Sequence, residues 1–74
     1  IMSKSKFELE LVSFKDMNVI IDDFIKVKIG SPDDIEKKFF NLSQILRNIP
    51  DKSTIEYMDL RAKDAPAVKF KSRP

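Results

Sequence analysis

The chain has 74 residues, of which 42% are apolar and 35% are charged, a composition typical of folded globular domains and not of disordered chains. It contains neither Cys nor His, which excludes disulfides and the thiolate and imidazole ligands of structural zinc sites. The net charge is +2, from 14 basic and 12 acidic residues. The two signs alternate over most of the chain, and only Lys69, Lys71 and Arg73 form a basic cluster.

A chain of this length forms one domain or part of one. The core of so small a domain rarely supplies more than about 3–5 kcal/mol of net stability. Either the packing is unusually good, or part of the core is completed by residues outside this chain. No apolar run approaches the ~20 residues that a membrane-spanning helix needs.

The first third of the chain has the two-residue period of β-strands. Phe7, Leu9 and Leu11 alternate with charged residues, which predicts a strand with one buried face and one solvent-exposed face. Lys15-Asp16 is a plausible turn, and the β-branched run from Asn18 to Ile21 predicts a second strand.

A third strand follows a tight turn. Asp22-Asp23 is typical of a hairpin turn, although Asp-Gly would be the stronger signal. After it the apolar Ile25, Val27 and Ile29 alternate with Phe24, Lys26 and Lys28. Gly30, which is the single glycine, is expected to close this strand.

The segment Ser31–Ile49 predicts a helix, which Pro50 ends. Ser31 is expected to cap it, with Pro32 at its first position and two aspartates near the positive end of its dipole. The apolar residues at helical spacing are Ile35, Phe39, Leu42, Leu46 and Ile49. The residues that fall largely on the other faces are Lys37, Lys38, Asn41, Gln44 and Asn48. We expect the apolar stripe to pack on the sheet, the alternative being a helix that binds a partner's groove.

Two further strands are predicted, Thr54–Leu60 and, after the interruption at Pro66, Ala67–Lys71. The order is therefore β-β-β-α-β-β. The predicted fold class is α+β, with one helix packed on one face of a small, largely antiparallel sheet.

The residues needed for catalysis are scarce. Without His and Cys, the commonest general base and the strongest side-chain nucleophile are missing. The paired carboxylates Asp22-Asp23 and Asp33-Asp34 lie in a predicted turn and a predicted helix start, where they usually face water. A phosphate-binding loop needs several glycines. We therefore expect no enzyme activity, no small-molecule substrate, no metal and no cofactor.

Nucleic-acid binding is the alternative that stays open. A small α+β domain with a sequence pI near 9.0 is compatible with an RNA-binding or ribosome-associated module. RNA-binding sheets, however, usually carry aromatics flanked by Gly and basic residues, and KH domains need a Gly-x-x-Gly loop. Neither pattern is present in the sequence, so protein binding is the favoured function.

The segment Ile55–Arg61, which reads Ile-Glu-Tyr-Met-Asp-Leu-Arg and is followed by Pro66-Ala67-Val68, resembles the C-terminal extracytoplasmic domain of the bacterial cell-division proteins FtsQ and DivIB. Upstream, Ile25–Gly30, the acidic helix start and the helix length match in order and spacing. The likeness spans roughly residues 18–70. Two departures affect turns: Ala65-Pro66 replaces a usual glycine, and Asp22-Asp23 stands where a glycine is common.

The resemblance implies a scaffold of the divisome at the division site, on the extracytoplasmic side of the membrane. Residues 1–74 would then be one domain, the C-terminal part of a protein whose membrane tether lies outside this chain. It further implies capture of FtsB/DivIC- and FtsL-type proteins, which are small single-pass coiled-coil membrane proteins, by addition of a β-strand to the last strand. The implied partner-binding residues are Ala62, Asp64, Ala65, Ala67, Val68, Lys69 and Phe70.

Apart from the resemblance, the sequence itself also indicates the last strand as the binding site. A last strand has one neighbour before it in the chain, and an edge strand offers unpaired backbone groups to another chain. Lys69 and Lys71 would either protect this edge from aggregation or attract an acidic partner. Asp59 and Arg61 lie on the same side of their strand, where pairing with each other is favoured over direct binding.

Overall fold

The computed structural model describes residues 6–72, which form a five-stranded sheet and one α-helix, an α+β fold with the predicted order of elements. The elements are β1 (Phe7–Ser13), β2 (Asp16–Ile21), β3 (Ile25–Gly30), α1 (Ile35–Asn48), a short 3-10 turn (Lys52–Thr54), β4 (Ile55–Asp59) and β5 (Ala67–Phe70). The strands follow each other in chain order across the sheet. All neighbouring pairs are antiparallel except β3 and β4, which α1 connects as parallel strands.

The two N-terminal hairpins differ in their turns. Asp22 and Asp23 both have positive φ, 55° and 69°, as the central residues of a type I′ turn require, so the predicted hairpin is confirmed without a glycine. The first turn consists of Phe14 and Lys15 instead of Lys15-Asp16. A β-bulge between Leu11 and Ser13 precedes this turn.

The core lies on one face of the sheet, which is here called the helix side. One row of directly opposed residues crosses all five strands on this face: Leu9, Val19, Val27, Met58 and Val68. Its three central members are buried, together with Ile21, Ile25 and Leu42 of the helix. The sheet and the helix therefore share one small core.

The helix begins later than the sequence predicts. Ser31 does not cap it, because its hydroxyl contacts Asp33 and the helix starts only at Ile35. Asp34 occupies the cap position in a left-handed conformation, with φ of 57° and no side-chain cap. The residues between Gly30 and Ile35 thus form a turn that redirects the chain onto the sheet.

The buried stripe of the helix also differs from the predicted one. Phe39, expected in the core, is 42% exposed, whereas Lys38, expected on a polar face, is only 3% exposed. The Lys38 ammonium donates a hydrogen bond of 2.8 Å to the carbonyl oxygen of Ser31. The other residues of the predicted stripe, Ile35, Leu42, Leu46 and Ile49, do pack on the core, and Ile45 joins them.

Strand β1 forms as predicted, but its predicted buried face is wrong. All seven residues of β1 are exposed, and the apolar Leu9 is 66% exposed. Phe7, Leu9 and Leu11 lie on the helix side, opposite Ile21, Val19 and Met17. The core ends at β2, since α1 does not extend far enough to cover the edge strand β1.

Candidate partner-binding edge

Strand β5 forms one edge of the sheet, with β4 as its partner within residues 6–72. The register places Ala67, Val68 and Lys69 opposite Asp59, Met58 and Tyr57. A bulge on β4 between Ile55 and Tyr57 interrupts the ladder, while β5 itself continues regularly. The outer side of β5 is therefore an uninterrupted stretch of strand backbone.

One hydrogen bond fixes which backbone groups face outward. The amide of Lys71 donates to the Thr54 carbonyl oxygen at 2.9 Å, so it points toward β4. Backbone direction alternates along an antiparallel strand. The amide and carbonyl of Lys69 consequently also point toward β4, and those of Val68 and Phe70 point away from the sheet.

The side chains of β5 divide the edge into an apolar and a basic side. Val68 is half-buried against the core, and Phe70 is 50% exposed next to it on the helix side. Lys69 lies on the opposite face, in register with Tyr57. The Lys71 ammonium lies 5.6 Å from the centroid of the Phe24 ring, in cation–π geometry.

The turn before β5 carries the other three predicted binding residues, Ala62, Asp64 and Ala65, and all three are exposed. The Ala65 amide closes this turn on the Ala62 carbonyl oxygen at 3.1 Å. Among residues 6–72, positive φ occurs only at Asp22, Asp23, Asp34 and Gly30. The turn at Ala65-Pro66 therefore needs no glycine. Of the predicted binding residues, all are exposed except Val68, which is half-buried against the core.

Two contacts hold this turn against the helix. The side-chain amide of Asn41 donates to the Lys63 carbonyl oxygen at 2.8 Å. The Lys63 ammonium lies 3.8 Å from a carboxylate oxygen of Asp34. The start of β5 is thus positioned by α1 as well as by β4.

The predicted pair of Asp59 and Arg61 is confirmed. The Arg61 guanidinium donates two hydrogen bonds to the Asp59 carboxylate, Nε to Oδ1 at 2.9 Å and Nη2 to Oδ2 at 2.7 Å. These bonds lower the pKa of Asp59 and raise the pKa of Arg61. Because the two side chains satisfy each other, the pair shapes the end of β4 and leaves the edge of β5 to its backbone.

The face opposite the helix side, here called the open face, carries lysines around Tyr57 that the sequence reasoning did not single out. Glu8, Ile20, Lys26, Tyr57 and Lys69 lie directly opposite one another across the five strands. The Lys28 ammonium lies 5.5 Å from the centroid of the Tyr57 ring. The alternation of Lys26 and Lys28 with apolar residues could have indicated that these lysines share one face. The sequence does not predict the sheet order that aligns them with Lys69.

The second edge of the sheet, β1, was also missed as a candidate surface. The Asp22 amide donates to the Lys6 carbonyl oxygen at 2.8 Å, so the backbone of Lys6 points toward β2. By alternation, the amides and carbonyls of Phe7, Leu9 and Leu11 point outward. This edge therefore presents outward backbone groups and apolar side chains from the same three residues.

In the part of the chain that the structure describes, no helix is long and apolar enough to cross a membrane. No protein-family model, no curated protein and no solved structure matches this chain. The resemblance to FtsQ and DivIB therefore stays a hypothesis, which has to be judged on the edge of the sheet and on experiment.

Proposed function

We propose that this chain is a non-catalytic, partner-binding domain of the FtsQ/DivIB type, a scaffold domain of the bacterial division machinery. In this proposal it acts on the extracytoplasmic side of the membrane at the division site, and its tether lies outside this chain. The partner, an FtsB/DivIC- or FtsL-type membrane protein, adds a β-strand to β5.

The observation that carries the proposal is the position of β5 at the edge of the sheet. Its outward amides at Val68 and Phe70 are spaced to pair with alternate residues of an added strand. Phe70 supplies an exposed apolar ring beside them. Main-chain hydrogen bonds would give affinity, while the ring and the basic side chains would select the partner.

The turn would extend the contact beyond the strand. Ala62, Asp64 and Ala65 continue the exposed edge at the start of β5. Because Asn41 holds the turn to the helix, a partner that contacts it meets a fixed surface and loses less conformational entropy on binding. This favours a segment that runs past β5 and over the turn.

A titration against purified extracytoplasmic segments of FtsB/DivIC- and FtsL-type proteins tests the proposal. Phe70→Ala removes the ring and should weaken binding by about 1–2 kcal/mol if the ring is an interface anchor. Phe70→Pro removes the outward amide as well, so it should weaken binding further than Phe70→Ala.

Two results would count against the proposal in different ways. Binding that is equal for Phe70→Pro and Phe70→Ala, with both variants folded by circular dichroism, would exclude strand addition at β5. Absence of binding to any of these segments by the folded chain would exclude the divisome partner.

The lysines of the open face favour nucleic-acid binding as a second candidate. Lys26, Lys28 and Lys69 surround Tyr57, whose ring could stack on a base. The same face also carries Glu10, which accepts a hydrogen bond from Asn18 and lies 3.8 Å from the Lys26 ammonium, and this weakens the candidate. Binding of single-stranded RNA that falls steeply with salt and is lost in Tyr57→Ala would support it.

A further inference from the structure

The two edges of the sheet are complementary to each other. On the open face, β1 carries the acidic Glu8 and Glu10, and the last strand and its extension carry Lys69 and Lys71. On the helix side, β1 carries three exposed apolar residues, and β5 carries Val68 and the exposed Phe70. Each edge therefore matches the other in charge on one face and in apolar character on the other face.

Strand direction and backbone direction agree with this match. Strands β1, β3 and β4 run the same way, and β5 runs the opposite way. A second copy in the same orientation would therefore place its β1 antiparallel to β5, with both helices on one side of a continuous sheet. The outward-pointing backbone groups belong to Leu9 and Leu11 on one edge and to Val68 and Phe70 on the other, so apolar residues oppose apolar residues.

We propose that this chain associates head to tail with further copies of itself through pairing of β5 with β1 of the next copy. In one register, opposite charges meet on the open face and apolar residues meet on the helix side. In this register Lys69 opposes Glu10 of the next copy and Lys71 opposes its Glu8. Val68 then opposes Leu11, and Phe70 opposes Leu9. The inference goes beyond the proposed function, because it concerns self-association and uses β1, which the partner-binding proposal leaves aside.

Pairing of like edges is disfavoured by charge. When β1 pairs antiparallel with a second β1 so that Leu9 opposes Leu9 or Leu11, a glutamate always opposes a glutamate. When Leu9 opposes Phe7, Glu8 opposes Glu8, although Glu10 then opposes Lys6. When β5 pairs with a second β5 so that Phe70 opposes Val68 or itself, a lysine opposes a lysine. Like charges directly opposite each other destabilise a strand pair. The head-to-tail arrangement avoids both conflicts, and because its interface is heterologous, each copy can add a further one beyond a dimer.

Sedimentation velocity of the 74-residue chain over a wide range of concentration tests the proposal. The weight-average mass should rise with concentration and pass beyond that of a dimer. Lys71→Glu and Glu8→Lys should each weaken association about tenfold, because each opposes like charges across the interface. The double variant should restore most of the lost association. Lys37→Glu, which makes the same charge change on the helix, is the control and should associate like the original chain.

A second variant keeps the test independent of these charges. Leu9→Asp places a carboxylate in the exposed apolar row and should weaken association by about tenfold as well. The proposal is overturned if the chain stays monomeric at all concentrations, if association saturates at a dimer, or if the double charge swap associates no better than its single variants. None of these outcomes depends on binding to a division protein, so they are separate from the test of the proposed function.

Discussion

Arg61 follows directly after the core residue Leu60 and contacts two residues, Asp59 at the end of β4 and Gly30 at the end of β3. Its guanidinium holds the Asp59 carboxylate. Its side chain also covers Gly30, where an added Cβ would lie 3.0 Å from the Arg61 Cγ. Gly30 has φ of +77°, a conformation that non-glycine residues adopt only with strain. The end of β3 and the end of β4 are therefore fitted to each other through these residues.

Gly30→Ala should lower the free energy of unfolding by about 1–2 kcal/mol, because alanine is strained at this positive φ. Urea denaturation measures the change. In the Arg61→Ala background the close contact is removed while the backbone strain stays, so most of the loss should persist. A Gly30→Ala variant as stable as the original chain would contradict the left-handed conformation at this residue.

The Asp59 carboxylate should make stability depend on pH. Its pKa is lowered in the folded chain, first by the hydrogen bonds from Arg61, so the pair stabilises the fold above the ordinary carboxylate pKa of about 4. This stabilisation is lost as the pH falls through the lower folded pKa. Asp59→Asn should therefore be less stable than the original chain at neutral pH, and the difference should disappear on acidification.

Urea denaturation at a series of pH values checks this expectation. Arg61→Gln removes the other member of the pair and should give the same pH dependence as Asp59→Asn. A stability difference that stays constant from neutral to acidic pH would show that the ionised pair does not carry the effect.

At the scale of secondary-structure elements, the helix shows which residues hold the core. Leu42 is 3% exposed, whereas Phe39 one turn earlier is 42% exposed. Leu42→Ala should cost about 2–5 kcal/mol, as expected for a buried leucine, and could unfold so small a domain. Phe39→Ala should cost much less. Thermal melts of the two variants make the comparison, and an equal loss would contradict the orientation of the helix.

The backbone direction of β5 predicts a contrast between neighbouring proline variants. Lys69→Pro removes an amide that points toward β4 and should cost about 1–3 kcal/mol of stability. Phe70→Pro removes an outward amide and should cost less. Circular dichroism melts measure both. If Phe70→Pro were the more destabilising variant, the assignment of outward groups on β5 would be wrong, and the proposed strand addition with it.

The strands were predictable because each carries a local signal. Ile25–Gly30 alternates strictly, and the Asp22-Asp23 turn separates it from β2. The stripe of the helix was predictable at Ile35, Leu42, Leu46 and Ile49, but the exposure of Phe39 was not, because it depends on tertiary packing. Lys38 is buried and donates to the Ser31 carbonyl oxygen, while Phe39 is exposed. Hydrophobicity alone ranks these two residues in the opposite order.

The candidate edge was predictable only in part. That β5 exists follows from Ala67–Phe70 after Pro66, but its edge position depends on the sheet order, to which long-range pairing contributes. The exposure of β1 could not be read from its sequence at all. Phe7, Leu9 and Leu11 have the pattern of a half-buried strand, and only the reach of the helix decides whether that half is covered.

At the scale of the whole molecule, protection is expected to decrease from the centre of the sheet to β1. Amides of Ile25–Gly30 lie between two strands and should exchange with solvent most slowly. In dilute solution β1 should show an alternating pattern: Glu8 and Glu10, whose amides face β2, should exchange more slowly than Phe7 and Leu9, whose amides face solvent. Hydrogen exchange followed by NMR measures this pattern. Uniform protection along β1 in a monomeric sample would contradict the outward direction of its apolar residues, and with it the complementarity of the two edges.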